Sequence, residues 1–434
     1  ILTLVFKSKK MTAYTYGENP DLETHSVITR KSASEGMVLL KNDDVLPLEK
    51  GQNVALLGVY SYDFIAGGTG SGDVNEAYTV SLEEGLTNAG FRVSPTAKQA
   101  YQKHRAANKE AFEKPEGMSA MFNPYLPPEM SYDSNLMETI ALESDLAIIT
   151  MGRNSGEGGD RVVADDFLLS DKEKEMLSTT CDAFQKAGKK VIVVLNIGGV
   201  IETASWKNQP DAILLAWQGG QEGGNAVADI LTGDVNPSGK LTMTFPVHVD
   251  DHASNTNFPQ NGLPMQIKDM LLGKDEVPED EMVQNVDYTN YEEGIYVGYR
   301  HFDKANLKVS YPFGFGLSYT DFAYGDMETV QENDTIKVSV PVSNIGKTNG
   351  KEIVQFYVSK DSTQIDRPEQ ELKAFAKTKL LGTGATDTVQ VKIPVNYLRY
   401  WNENSSQWTL EPGKYIIKAG ASSRDIKKST EIKI

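Results

Sequence analysis

A chain of 434 residues has room for about two to four domains, and its 39% hydrophobic and 24% charged residues form an ordinary globular mixture. Sixty acidic against 43 basic side chains leave a formal net charge of −17, which argues against nucleic acid or an anionic membrane surface as a partner, since both need clustered cations. The single cysteine, Cys181, excludes a disulfide framework and a multi-thiolate zinc site, and it favours a reducing, cytoplasmic setting.

No run approaches the ~20 apolar residues that span a bilayer. Residues 1–22 read as the end of a helix, with Leu2, Val5 and Phe6 on one side, followed by a polar linker to Asn19-Pro20. Helical spacing is expected from His25 to Leu40, then a turn over 41–44. Val54–Gly58 is a short, wholly apolar run bounded by turn signals, and Leu146–Thr150, Val191–Leu195 and Ala212–Ala216 share that character. Continuous apolar strands suit a parallel sheet covered on both faces. Asp171–Lys186 carries Met176, Leu177, Ala183 and Phe184 at helical spacing and stops at Gly188. Residues 23–248 are therefore expected to form an open, mostly parallel α/β domain, interrupted by a Met- and Pro-bearing surface excursion over about 97–140. Residues 249–321, polar and acidic in their first part, read as a connector. From residue 322 to 434 the period becomes two, in Thr335–Val340, Ile353–Val358, Thr388–Ile393 and Lys414–Ala419, which predicts an antiparallel β-sandwich.

Two glycine-rich segments could carry chemistry. Gly67-Gly-Thr-Gly-Ser-Gly-Asp73 follows the first apolar strand but lacks the Gly-Lys-Ser/Thr ending of a phosphate loop and the Gly-x-Gly-x-x-Gly spacing. It reads either as a flexible strand exit or as backbone built to approach a polar ligand closely, with Ser71 and Asp73 as hydrogen-bonding groups. Arg153-Asn-Ser-Gly-Glu157-Gly-Gly-Asp160-Arg161 lies directly after another strand, where ligands of open α/β sheets collect. Glu157, with glycines on both sides, is either an acid presented on adjustable backbone for proton transfer or a solvated glutamate beside an ordinary Asp160–Arg161 surface pair. His248 and His252 are close together without a third ligand, so no metal and no cofactor are expected. There is no Gly-x-Ser-x-Gly nucleophile elbow, and Cys181 is expected to pack within its helix.

Taken together, the segments resemble a known family. Ser34-Glu-Gly-Met-Val-Leu-Leu-Lys-Asn42 with Leu46-Pro47-Leu48 is similar to the start of the second domain of glycoside hydrolase family 3. The resemblance continues through Gly67–Asp73, Ser155–Arg161, Ala216-Trp-Gln-Gly-Gly-Gln-Glu-Gly-Gly224 and Gly233–Leu241 with Thr244-Phe-Pro246. It extends to Tyr296–Arg300, Tyr311–Tyr319 and Pro368–Phe375, and the tail resembles the fibronectin type III-like domain of many members. The resemblance implies a retaining β-glucosidase acting on oligosaccharides or aryl glucosides, with Glu157 as general acid/base and Ser71 near the bound sugar. It also implies an Asp nucleophile on an N-terminal (β/α)8 barrel, in a Ser-Asp-Trp context that does not occur here. Residues 1–22 look like the last helix of that barrel and its outgoing linker. The chain by itself is thus expected to be inactive, with the barrel and the β-glucoside as partners and a homodimer as a possible assembly. The alternative is a catalytically inactive carbohydrate-binding or scaffold protein of the same fold.

Overall fold

A computed structural model describes residues 1–12, 14–15, 17–74, 76–115, 125–155, 161–256 and 291–434. Helix α1 spans Leu2–Lys7, and α2 spans Leu22–Gly36, started by Asp21, whose carboxylate accepts the Thr24 N–H at 3.0 Å. Strand β1 covers Val38–Asn42 and β2 covers Asn53–Leu57, followed by α3 (Leu82–Asn88), β3 (Arg92–Val93), α4 (Pro95–Ala107) and α5 (Ser134–Glu143). Next come β4 (Leu146–Arg153), α6 (Asp171–Lys186), β5 (Lys190–Ile197), β6 (Ala212–Leu215) and α7 (Gly223–Thr232).

These strands form a six-stranded sheet in the order β1-β6-β5-β4-β2-β3, parallel except for β1, which runs antiparallel to β6. Alternate residues face opposite sides, as strand geometry requires. Ala55, Leu57, Ile149 and Val193 pack against Tyr101 of α4, Met137 of α5 and Phe184 of α6. Leu56, Ile148 and Val194 pack on the other face against Leu82 of α3 and Ile230 of α7.

Two expectations are corrected. The helix over 25–40 ends at Gly36, and Met37–Leu40 turns into β1, because the run is apolar enough to be buried in either state and pairing with β6 decides it. The far edge of β1 is covered by a bridge between Leu39 and Leu317. The described residues of 97–140 are not a surface excursion. Ser94 and Asp133 cap α4 and α5, whose Tyr101, Met137 and Ile140 lie in the core with Phe112, Met130 and Tyr132.

Phe245–Pro246 (β7) pairs with Val309–Tyr311 (β8) ahead of the C-terminal strands. One sheet holds β9 (Phe322–Tyr324), β10 (Glu328–Glu332), β11 (Thr335–Asn344) and β14 (Thr386–Pro394). The facing sheet holds β12 (Ile353–Lys360), β13 (Glu371–Lys377), β17 (Lys414–Ser422) and β18 (Asp425–Lys433), and a hairpin joins β15 (Tyr400–Asn402) to β16 (Gln407–Thr409). Ile336, Val338, Val340 and Val342 of β11 meet Val354, Phe356 and Ile417 between the sheets, the alternation of a half-buried strand. Glu35 of α2 accepts from Lys351 and Lys377, and Lys240 pairs with Glu352 at 3.2 Å, so ion pairs join the sandwich to the α/β layer.

Candidate active site

The chain leaves β2 for β3 through α3 on one face and passes from β4 to β5 through α6 on the other. Since β2 and β4 are neighbours, a crevice opens beyond their carboxyl ends, the place where open α/β sheets bind ligands. The segments leaving β2, β4, β5 and β6 converge there. Asn196, fully buried at the end of β5, accepts the Ile65 N–H at 2.7 Å and donates to the carbonyls of Ile65 and Trp217 at 3.0 and 2.8 Å. One amide thus holds the exits of β2 and β6 together.

Ser155 is fixed in the same junction. Its carbonyl accepts the Thr69 N–H at 2.8 Å, and its hydroxyl lies 3.4 Å from Gln218 Oε1. Gln218 Nε2 in turn lies 3.4 Å from Asn154 Oδ1. Two glycines leave room for this: a Cβ on Gly68 would strike the Ser155 carbonyl, and one on Gly198 would strike the Ser155 side chain. Backbone approaches Gly68 and the Ser155 side chain approaches Gly198, so neither position has room for a side chain of its own.

Below Ser155, the Arg153 guanidinium donates to both Glu173 oxygens at 2.6 and 2.8 Å, with both side chains almost wholly buried. It also donates to the carbonyls of Gly152 and Asp166, at 2.7 and 2.8 Å. Glu173 is simultaneously the third residue of the α6 capping box, receiving Ser170 N–H at 2.8 Å. On the returning side, Arg161 Nε donates to Asp166 at 2.5 Å, and Asp166 also accepts the Val162 N–H at 3.1 Å. Glu157 and Asp160 lie outside the described residues, between the two anchored ends.

Beside this junction a cavity of about 740 Å³ runs between the segment after β2 and the α4 face. Tyr62 stacks on Tyr101, with ring centroids 4.1 Å apart and planes 10° from parallel. Tyr101 donates its hydroxyl to Asp63 at 2.5 Å, and Arg105 donates to that same hydroxyl at 3.3 Å. Gly67, Thr69 and Asp73 of the glycine-rich loop line the cavity, as does Asn154. Ser71 stands exposed on the tight turn Gly70–Gly72, between Thr69 and Asp73. The two glycine-rich segments singled out in the sequence are therefore brought together by the Thr69–Ser155 hydrogen bond.

Sequence reasoning missed the Arg153–Glu173 pair, Asn196, Gln218 and the tyrosine stack. The signal for two of them was a polar residue terminating an apolar strand, Arg153 on β4 and Asn196 near the end of β5. It also missed Glu129, half-buried behind the β2 exit, whose Oε1 accepts the Val59 and Met130 N–H groups at 3.1 and 2.8 Å. Burial pushes the Glu129 carboxyl up to about 7, with the Glu173 charge adding to the rise and the two N–H bonds opposing it. Cys181 packs in the core, and burial pushes its thiol up to about 12.

Among the described residues no group of three His, Cys, Asp or Glu side chains could hold a metal ion, and no helix is long and apolar enough to cross a membrane. Residues 37–299 match the Glycosyl hydrolase family 3 C-terminal domain, and residues 352–423 match the fibronectin type III-like domain. Beta-glucosidase A of Butyrivibrio fibrisolvens is 36% identical over 463 residues, which cover 94% of this chain and 51% of that protein. Thermostable beta-glucosidase B of Acetivibrio thermocellus is 33% identical over 423 residues, covering 95% of this chain and 49% of that protein. Among solved structures, beta-glucosidase 3B from Thermotoga neapolitana in complex with alpha-D-glucose superposes with a TM-score of 0.88 at 37% identity, over 100% of this chain and 57% of that one. The chain spans about half the length of the curated relatives it matches. By extent and order of these matches, the chain belongs to glycoside hydrolase family 3, whose C-terminal α/β domain it carries together with a fibronectin type III-like domain.

Proposed function

We propose that this chain is the acid/base-bearing part of a retaining β-glucosidase that removes terminal β-linked glucose from oligosaccharides and aryl glucosides, with Glu157 as the general acid/base. The observation that carries the reading is the anchoring on both sides of Glu157: Ser155 is held by Thr69 and the sheet exits, and Arg161 is held by Asp166. A proton donor needs such a frame, since an acid must reach its oxygen while its backbone stays positioned. The names of the relatives, beta-glucosidases at 33–36% identity, support the same substrate class. Ser71, on the loop joined to Ser155, is assigned to the sugar.

A retaining hydrolysis needs a second carboxylate about 5–5.5 Å from the first. In this reading it is an Asp on an N-terminal (β/α)8 barrel, within the half of the relatives' length that this chain does not span. The Asp attacks the anomeric carbon while Glu157 gives its proton to the glycosidic oxygen, and the carbon–oxygen bond breaks. Glu157, now a carboxylate, takes a proton from the water that releases glucose and frees the Asp.

Kinetics of Glu157→Ala in the protein as its own cells make it test the assignment. Deglycosylation is expected to slow about 10²–10⁴-fold, and azide, a nucleophile that needs no general base, to restore part of the turnover. Wild-type-like kinetics would remove Glu157 from the role. The 434-residue chain alone is expected to leave an aryl β-glucoside intact. Robust hydrolysis by that chain would show that the second carboxylate lies within it.

A further inference from the structure

The fibronectin type III-like domain carries on its surface an aromatic pair that its core does not use. In the β15–β16 hairpin, Trp401 stands directly opposite Trp408. Both indoles are exposed, at 49% and 62%, with ring centroids 5.7 Å apart and planes 70° from parallel. The hairpin beneath them is firmly seated. Successive strand residues face opposite ways, so Tyr400 turns to the body of the domain, where the Arg367 guanidinium lies 5.3 Å from its ring. Arg367 pairs with Glu411 at 3.3 Å, with both side chains mostly buried, and Arg399 donates to the Trp408 carbonyl at 3.0 Å. Beyond the pair, Asn404, Ser405, Ser406 and Gln407 are exposed, and among the described residues their side chains make no hydrogen bond.

Size narrows what can cover the two rings. A whole indole buries about 150–250 Å², and close to half of each is already covered, so the pair offers roughly 200 Å². A stable protein interface takes about 800 Å² from each partner, several times as much. The neighbouring tip is polar, which suits a second copy no better. The hairpin's charged residues, Arg399 and Glu403, are of opposite sign and select no ion. A flat aromatic ligand would stack on a ring and leave the amides and hydroxyls unmatched. A neutral polyhydroxylated ring uses both, its C–H face against indole and its hydroxyls on the Asn404 and Gln407 amides.

β-Linked glucose suits an indole because its hydroxyls lie around the ring edge and both faces present C–H bonds. The 70° between the planes decides the form of the polymer. A flat crystalline surface lying on one indole would meet the other edge-on, whereas a single chain can turn along its length to offer a face to each. We infer that Trp401 and Trp408 form a binding site, on the fibronectin type III-like domain, for a single β-glucan chain. The site makes and breaks no bond; it holds the polymer on the protein and so raises the local concentration of chain ends. The inference stands on the hairpin and does not depend on the role of Glu157.

Native gel electrophoresis of the protein as its own cells make it, with soluble mixed-linkage β-glucan cast in the gel, tests the site. The β-glucan is expected to retard the protein, and Trp401→Ala or Trp408→Ala to raise the dissociation constant about threefold to tenfold, the loss of one stacking contact. Asn404→Ala combined with Gln407→Ala leaves both rings in place and is expected to weaken binding by a similar factor through lost hydrogen bonds. That double variant decides the matter if a tryptophan variant fails to fold. Absence of retardation, or equal retardation of wild type and all variants, overturns the site. Tryptophan-dependent capture by microcrystalline cellulose overturns the single-chain form. A sedimentation coefficient that falls in the tryptophan variants overturns it too, since a second copy would then cover the pair. A protein retarded through the pair that hydrolyses no β-glucoside keeps this inference and loses the glucosidase reading.

Discussion

Arg153 and Glu173 form a bidentate ion pair at 2.6 and 2.8 Å, inside the protein, that ties the end of β4 to the start of α6. The same guanidinium reaches the carbonyls of Gly152 and Asp166, so a single side chain spans the departure and the return of the segment that holds Glu157. Paired and fully hydrogen-bonded, the two charges are tolerated in the interior. Separated, each becomes an uncompensated buried ion.

Removing one partner is therefore expected to be costly and removing both much less so than the sum. Arg153→Ala or Glu173→Ala should each lose about 3–5 kcal/mol of unfolding free energy, and the double variant should recover a large part of the second loss. Urea unfolding of the four proteins of this cycle measures the coupling. Additive losses would show that the pair is not what holds the two elements together.

The two glycines around Ser155 answer differently to the same rescue. A Cβ on Gly198 meets chiefly the Ser155 hydroxyl and Cβ, whereas a Cβ on Gly68 meets the Ser155 carbonyl. Gly198→Ala and Gly68→Ala should each destabilise by about 1–3 kcal/mol through overpacking. Adding Ser155→Gly should restore most of the loss for Gly198→Ala and none for Gly68→Ala, because only the side chain is removed. Thermal unfolding of the two pairs decides it, and equal rescue of both would contradict the geometry.

Glu129 gives the fold a pH dependence of definite sign. Its carboxyl is pushed up to about 7 by burial, from an ordinary value of 4.5 in an open chain. The folded state then binds more protons than the unfolded one between these values, so this group's contribution to stability falls as pH rises from about 4.5 to about 7 and is level above. The carboxyl faces Glu173, which disfavours its charge, and Lys172, which favours it less strongly. Glu129→Gln keeps an acceptor for Val59 and Met130 without the charge. It should exceed wild type in stability at pH 8 by up to about 3 kcal/mol, with the gap closing near pH 5. Urea unfolding at the two pH values measures this, and a gap independent of pH would assign the raised proton affinity elsewhere.

Much of the architecture was legible because it depends on local pattern. Val54–Leu57, Leu146–Thr150, Val191–Leu195 and Ala212–Leu215 announce buried parallel strands by being apolar on both faces, and Asp171–Lys186 announces a helix by its spacing. Met37–Leu40 was misread because four apolar residues fit a helix or a strand equally well, and the choice rests on β6, far along the chain. The region around α4 and α5 was misread for a related reason. Its prolines and methionines suggested surface, although Ser94-Pro95 was a helix start and Tyr101 and Met137 had a core to enter.

For the site, the sequence by itself determined which residue types were available: an acid framed by glycines after one strand, and a glycine-rich turn with Ser71 and Asp73 after another. It could not show that the two segments touch. Thr69 reaches Ser155 only because β2 lies beside β4 in the sheet, and Asn196, Gln218 and the Tyr62–Tyr101 stack complete the junction from positions distant in the chain. Helix and strand periods are properties of neighbouring residues, whereas a crevice belongs to strand order. That order is decided by which apolar faces can be buried together, and so it was settled by the tertiary structure alone.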